Sequence, residues 1–319
     1  AEVYMELAHL RGNASGEDFH CSAVSRAMGE PLIATAPHIT TWFLLEYPGR
    51  WMPRAVKDND LPEPVMSRLD SYLRFIPQSR LLLIRQRPRL VSGGLRFFVA
   101  RTHADRQALY EFVLDDYEAL LELDLGAIAQ GDASYEAYRR ARPLFTICMH
   151  GRRDRCCPLF GLPVHVEMMQ HGGPAVWQSS HIGGHRFAPN VISFPQGAVY
   201  GRVPPQRARA LMNDCRDELV TPDLLRGRAC YEAPIQAADV YLRQATGARE
   251  LDAFALRGVD ADARGAWTVT FAAKNGMLHH LRVVEEPADF AIYGSCGDDA
   301  PKETTVFRLL AHETTAAAL

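Results

Sequence analysis

The chain has 319 residues, 47% hydrophobic and 23% charged, with a formal net charge of −3. That is apolar material for a sizeable core spread over two or three domains, and so small a net charge gives no global reason to expect nucleic acid or an anionic membrane as partner. The opening residues AEVYMELAHLRGNASGEDF lack the basic start and apolar run of a secretory leader, and no stretch reaches the roughly 18 apolar residues of a membrane span, so the expected setting is cytoplasmic.

In chain order, TTWFLLEYP (40–48), SRLLLIRQ (79–86) and GLRFFVART (94–102) read as short β-rich runs, and RQALYEFVLDDYEALLEL (106–123) reads as a helix. From about 140, PLFTICMH is a buried strand and PLFGLPVHVEMMQHG a helix. AVWQSSH and NVISFPQGAVYG are strands, and PPQRARALMNDCRDEL is a second helix. Strand, helix, strand, strand, helix, with cysteines at the first strand-to-helix turn, is the order of a thioredoxin-like domain. Further on, IQAADVYLRQATG predicts a helix, and AWTVTFAAK, MLHHLRVVEE and TVFRLLAHE predict antiparallel strands, the first two joined at KNG. The expected fold class is α/β: a thioredoxin-like domain at 136–222, with an additional α/β N-terminal segment at 1–135 and an α+β C-terminal segment at 223–319.

Seven cysteines, an odd number in a chain of this size, do not resemble a secreted disulfide framework. Three fall in CMHGRRDRCCPLFG (148–161). Cys148 ends a strand and Cys157 begins a helix with eight residues between them, so the loop can fold back and present two thiolates, half of a four-ligand metal site. The other half is offered by His181 and His185, which bracket a Gly-Gly pair. Two adjacent glycines favour a loop over a helix and let the backbone pass close to a cofactor while both imidazoles turn toward one metal. Spacing alone leaves zinc and an iron–sulfur cluster both open. Cys156 is expected to be a packing thiol and His150 to structure the loop, since no C-x2-H completes a Rieske pattern. Cys21, Cys215, Cys230 and Cys296 have no partner at metal spacing and are expected to pack. Adjacent His279 and His280 lie on a predicted strand and point to opposite faces. No glycine-rich phosphate loop is present, so no nucleotide site is expected.

Cys148 and Cys157 with the intervening residues, together with His181 and His185 within SHIGGHRFAPNVISFPQGAVYG, resemble the sucrase/ferredoxin-like family. CSAVSRAMGEPLIATAPH (21–38) and GRACYEAPIQAADVYL (227–242) are similar to bacterial members. The resemblance implies a thioredoxin fold carrying a [2Fe-2S] cluster held by Cys148, Cys157, His181 and His185. No pair of carboxylates supports glycoside hydrolysis. The implied function is a one-electron carrier of moderate potential whose redox step is coupled to protons. It would work between a reductase and an acceptor protein, and Arg152, Arg153, Arg155 and Arg186 are candidates to dock an acidic partner. The alternatives are a cluster-dependent redox enzyme or sensor acting on a small substrate, and a zinc-stabilised binding module.

Overall fold

The computed structural model describes residues 19–90 and 93–316. The opening stretch, read above for the absence of a leader, lies outside the described residues apart from Phe19. After helix α1 (Cys21–Ala27), strands β1 (Thr41–Glu46) and β2 (Ser79–Arg85) flank helix α2 (Glu63–Phe75). Strands β3 (Leu95–Arg101) and β4 (Ala108–Leu114) then precede a short helix α3 (Leu125–Gln130). The region with the candidate ligands follows as β5 (Leu144–Cys148), α4 (Cys156–Gly172), β6 (Val176–Ser179), β7 (Val191–Phe194), β8 (Ala198–Tyr200) and α5 (Ala208–Arg216). The chain continues through β9 (Leu225–Arg228), α6 (Ala233–Thr246), β10 (Phe254–Ala261), β11 (Ala266–Ala273), β12 (Met277–Ile292) and β13 (Lys302–Ala316).

Nine strands form one sheet in the order β4-β3-β1-β2-β6-β5-β7-β8-β9. Within it β5 and β6 are parallel, as a strand–helix–strand crossover through α4 requires, and β7 and β8 follow antiparallel. The sequence β6-β5-β7-β8 with α4 and α5 is the thioredoxin-like arrangement, so the mixed α/β class with added segments holds. The contact between β2 and β6 is short, Ile84 facing Ser179 and Arg85 facing Gln178. It joins strands from the first 135 residues to those of the region with the candidate ligands. A separate antiparallel meander, β10-β11-β12-β13, packs on α6 through Val269, Phe271, Leu281 and Val283.

Strand alternation builds the core on both faces of the large sheet. Phe43, Leu45, Leu81, Leu83, Phe97 and Val99 face α2 and α3. Their neighbours Trp42, Leu44, Leu82, Ile84 and Phe98 face the opposite side, where Cys148, Cys157, Trp177, Ile182 and Phe194 complete the layer. Cys148 ends the fully buried strand β5, and Cys157 lies in the first turn of α4. Trp177 is a core residue, edge-on to Phe98 at 5.7 Å and donating its indole N–H to the Pro174 carbonyl.

The reading of 106–123 as a helix is corrected. Residues 108–114 are β4, paired antiparallel with β3 from Leu95↔Leu114 to Arg101↔Ala108, and only Glu118–Glu122 form a short 3₁₀ turn. Tyr110, Phe112 and Leu114 alternate on the buried face, and a partner strand is available one tight connection upstream, so pairing overrides the mixed periodicity.

Candidate metal centre

The loop between β5 and α4 is set by backbone bonds. The amides of Arg153 and Asp154 donate to the His150 carbonyl, and Cys157 N–H donates to the Asp154 carbonyl. The His150 ring contacts the Met52 carbonyl at 2.8 Å through Nε2 and stands edge-on to Trp51. His150 therefore ties the loop to the N-terminal segment, the loop-structuring role expected of it.

The His181–His185 stretch leaves the preceding strand as a loop, as its two glycines predict. Gly183 and Gly184 have φ of +99° and +73°, a region L side chains rarely adopt. A Cβ on Gly184 would lie 2.4 Å from Nη2 of Arg226, whose guanidinium runs beneath the loop. Arg226 donates to the Gly183 carbonyl at 3.0 Å and to Asn190 Oδ1 at 2.8 Å, and it also binds Thr35. Asn190 donates in turn to the Gly184 carbonyl at 2.8 Å, and Arg80 donates to the Ile182 carbonyl at 3.0 Å. Three successive carbonyls are thereby held and the two histidines are presented on a fixed turn.

Cys148, Cys157 and His181 come together: one ligand atom from each lies within 4.8 Å of the others. The His185 ring is 4.9 Å from that of His181, with its Nε2 3.8 Å from Asp154 Oδ2, beyond hydrogen-bond range. Nδ1 of His181 and Nδ1 of His185 are both buried with no hydrogen-bond partner. Leaving such atoms unpaired costs about 1–3 kcal/mol each; two buried thiols and the His181 imidazole meet closely enough to fit a group that binds thiolate and imidazole, while His185 stands outside that trio. The S–H of Cys157 and the His181 imidazole hold the Cys148 thiol well below the ordinary thiol range, and Cys157 is pushed up correspondingly. Burial lowers the His185 imidazole, while Asp154 opposes this.

The arginines divide. Arg152 and Arg153 are exposed, whereas Arg186 is paired with Glu30 at 2.7 Å and Arg155 interacts with the Cys296 thiol. His181, half-buried, reaches a cavity of about 270 Å³ lined by Arg54, Lys57, His150, Arg153 and Ser180. This is an opening with a basic rim.

A second group of metal-ligating side chains went unrecognised in the sequence. Cys21, Cys156, Cys296 and Asp154 place one ligand atom each within 4.8 Å of the others. Of the cysteines expected to pack, Cys215 does so beneath Tyr200, but Cys21, Cys156 and Cys296 meet. Their separations in sequence, 135 to 275 residues, carry no local spacing signal. His279 and His280 do point apart, to His312 and to Thr270 with Thr315 respectively.

No helix among the described residues is long and apolar enough to cross a membrane. No solved structure matches the chain. "Altered inheritance of mitochondria protein 32" of Meyerozyma guilliermondii is 29% identical over 111 residues, which cover 31% of this chain and 39% of that protein. Residues 32–227, from the stretch before β1 through both candidate ligand loops to β9, match the family described as Sucrase/ferredoxin-like. On that match, which covers more than half of the sequence, the chain belongs to the sucrase/ferredoxin-like family.

Proposed function

We propose that the chain is a one-electron carrier whose [2Fe-2S] cluster is held by Cys148, Cys157, His181 and His185. The observation that carries this reading is the meeting of two buried thiols and a half-buried imidazole, with unpaired Nδ1 atoms on both histidines of the adjoining loop. Such a cluster would supply a reversible one-electron couple. Two ferric ions, two sulfides, two thiolates and two neutral imidazoles sum to zero charge, where four thiolates leave a dianion. Replacing thiolates by histidines raises the potential from about −400 mV toward roughly −150 to +300 mV in Rieske centres.

The chain's residues divide the remaining work. Arg226, Asn190 and Arg80 fix the histidine loop, and His150 anchors the cysteine loop. The basic rim of Arg54, Lys57 and Arg153 beside His181 is suited to docking an acidic redox partner, which electrostatic complementarity would steer. A ligating imidazole keeps one N–H, and His181 lies at the rim where that proton can exchange with solvent. Electron uptake is then coupled to protons. In this reading 136–222 carries the ligands, and 1–135 and 223–319 cover them and select partners.

The test is metal and sulfide analysis of anaerobically purified protein, followed by protein-film voltammetry. Iron and sulfide should each approach about two per chain. The midpoint potential should fall with pH by up to about 59 mV per unit, the one-electron, one-proton limit. A colourless preparation containing zinc and no iron would overturn the reading in favour of a zinc module.

A further inference from the structure

The structure assigns a second, mononuclear metal site: we propose that Cys21, Cys156, Cys296 and Asp154 together bind a thiophilic divalent cation of the zinc class. The three sulfurs form a nearly equilateral triangle, with Sγ separations of 3.3 Å between Cys156 and Cys296, 3.6 Å between Cys21 and Cys156, and 3.6 Å between Cys21 and Cys296. Thiolates sharing one tetrahedral ion at about 2.3 Å stand roughly 3.8 Å apart, so shifts of a few tenths of an ångström admit the ion. Thiolates on the two different irons of a cluster stand further apart, because the irons are themselves separated. A disulfide would use two of the sulfurs and leave the third buried beside it.

Asp154 supplies the fourth vertex. Its Oδ1 lies 3.3 Å from Cys296 Sγ and 3.9 Å from Cys21 Sγ. The carboxylate is oriented by N–H of Cys156 at 2.9 Å, N–H of Cys296 at 2.8 Å and Ser295 Oγ at 3.0 Å, the outer hydrogen bonding that a ligating carboxylate needs. Cys21, Cys156 and Asp154 are buried, and an apolar shell of Phe19, Val24, Ala188, Ala291 and Tyr293 surrounds them. One carboxylate and three thiols, donors that a thiophilic divalent ion binds, thus converge in one volume.

The site also accounts for the vicinal Cys156–Cys157 pair. Adjacent positions on α4 point about 100° apart, so Cys157 turns toward Cys148 while Cys156 turns toward Cys21 and Cys296. Each sulfur of the triangle comes from a different part of the chain: Cys21 opens α1, Cys156 opens α4, and Cys296 lies in the connection between β12 and β13. An ion here would clamp the N-terminal helix and the C-terminal hairpin onto the cysteine loop, closing very long loops at one point.

The experiment uses the full chain, purified anaerobically with reductant and without chelator, for elemental analysis, and Co²⁺ as a spectroscopic probe. About one zinc per chain is expected besides any iron, and Co²⁺ loading should give tetrahedral d–d bands with thiolate charge transfer. Cys296→Ser should lose the zinc but keep iron and sulfide, which also shows that it folds. Cys296→His, which restores a ligand, should regain it. Cys157→Ala should show the reverse pattern, losing iron and keeping zinc, and Cys230→Ser should keep both. Absence of zinc together with no tetrahedral cobalt spectrum overturns the site. So does zinc retained in Cys296→Ser, or a Cys156–Cys296 disulfide in the purified protein. Zinc present with iron absent, lost in Cys296→Ser and kept in Cys157→Ala, would support this site while refuting the electron-carrier reading; zinc lost only in Cys157→Ala would overturn it.

Discussion

Replacing Gly184 by alanine probes how the histidine loop is held. The residue adopts φ +73° and ψ +50°, where an L side chain costs about 1–2 kcal/mol. Its new Cβ would fall 2.4 Å from Nη2 of Arg226, which is fully enclosed and anchored to Thr35, Gly183 and Asn190. Displacing that guanidinium forfeits at least one hydrogen bond to a charged group, about 1.5–3 kcal/mol, for a combined loss of about 2.5–5 kcal/mol. Gly247, at the C-terminus of α6, provides the control: its φ is also +73°, but nothing lies within 4 Å of where its Cβ would be. Gly247→Ala should cost only about 1–2 kcal/mol. Reversible urea unfolding of the reduced, metal-free chain measures both, with similar m-values required. If the two variants agree within about 0.5 kcal/mol, Arg226 does not brace the loop and the account of how the histidines are presented fails.

Other outcomes follow from buried charge and from the sites. The Arg243–Asp239 pair is fully enclosed at 3.0 Å, with Arg243 also donating to the carbonyls of Glu250 and Leu251. Arg243→Met should therefore cost about 3–5 kcal/mol, with much of the loss recovered in an Arg243→Met/Asp239→Leu double variant; equal losses would contradict this. His165, buried on α4 with Nε2 unpartnered, has its pKa lowered by desolvation. The unfolded chain then binds a proton that the folded chain refuses, so its contribution is intact above about pH 6.5 and is lost as pH falls below that. His165→Met should flatten the acid limb of stability against pH by up to about 1.4 kcal/mol per pH unit, and an unchanged limb in urea titrations would count against it. Cys157→Ala should abolish visible absorbance while Cys156→Ala retains it; the opposite result would exchange the roles of the two residues.

Several strands and the meeting of Cys148, Cys157 and His181 were legible because their signals are local: β1, β2 and β3 are short apolar runs between turn residues, and the candidate residues fall in two short stretches of sequence. The helix expected over 106–123 failed because Tyr110, Phe112 and Leu114 take their conformation from pairing with β3, a partner that periodicity does not see. Helices α1, α2 and α3 and strands β9 and β10 were not anticipated; β9, four buried residues rich in arginine and glycine, carries almost none of the apolar signal of a strand. The sulfur triangle was invisible for a different reason. Its members are brought together only by the packing of α1 and the β12–β13 connection against the start of α4, so each looked like an isolated thiol.

The central claim, two thiolates and two imidazoles on one diiron cluster, is tested most directly by counting nitrogen ligands. Dithionite-reduced protein should give the paramagnetic signal of a reduced [2Fe-2S] cluster, and pulsed electron paramagnetic resonance should resolve two distinct ¹⁴N couplings from directly bound imidazoles. His185→Cys should keep the cluster, remove one coupling and lower the potential. A reduced cluster with no directly bound nitrogen, or two couplings that persist in His185→Cys, would contradict the account.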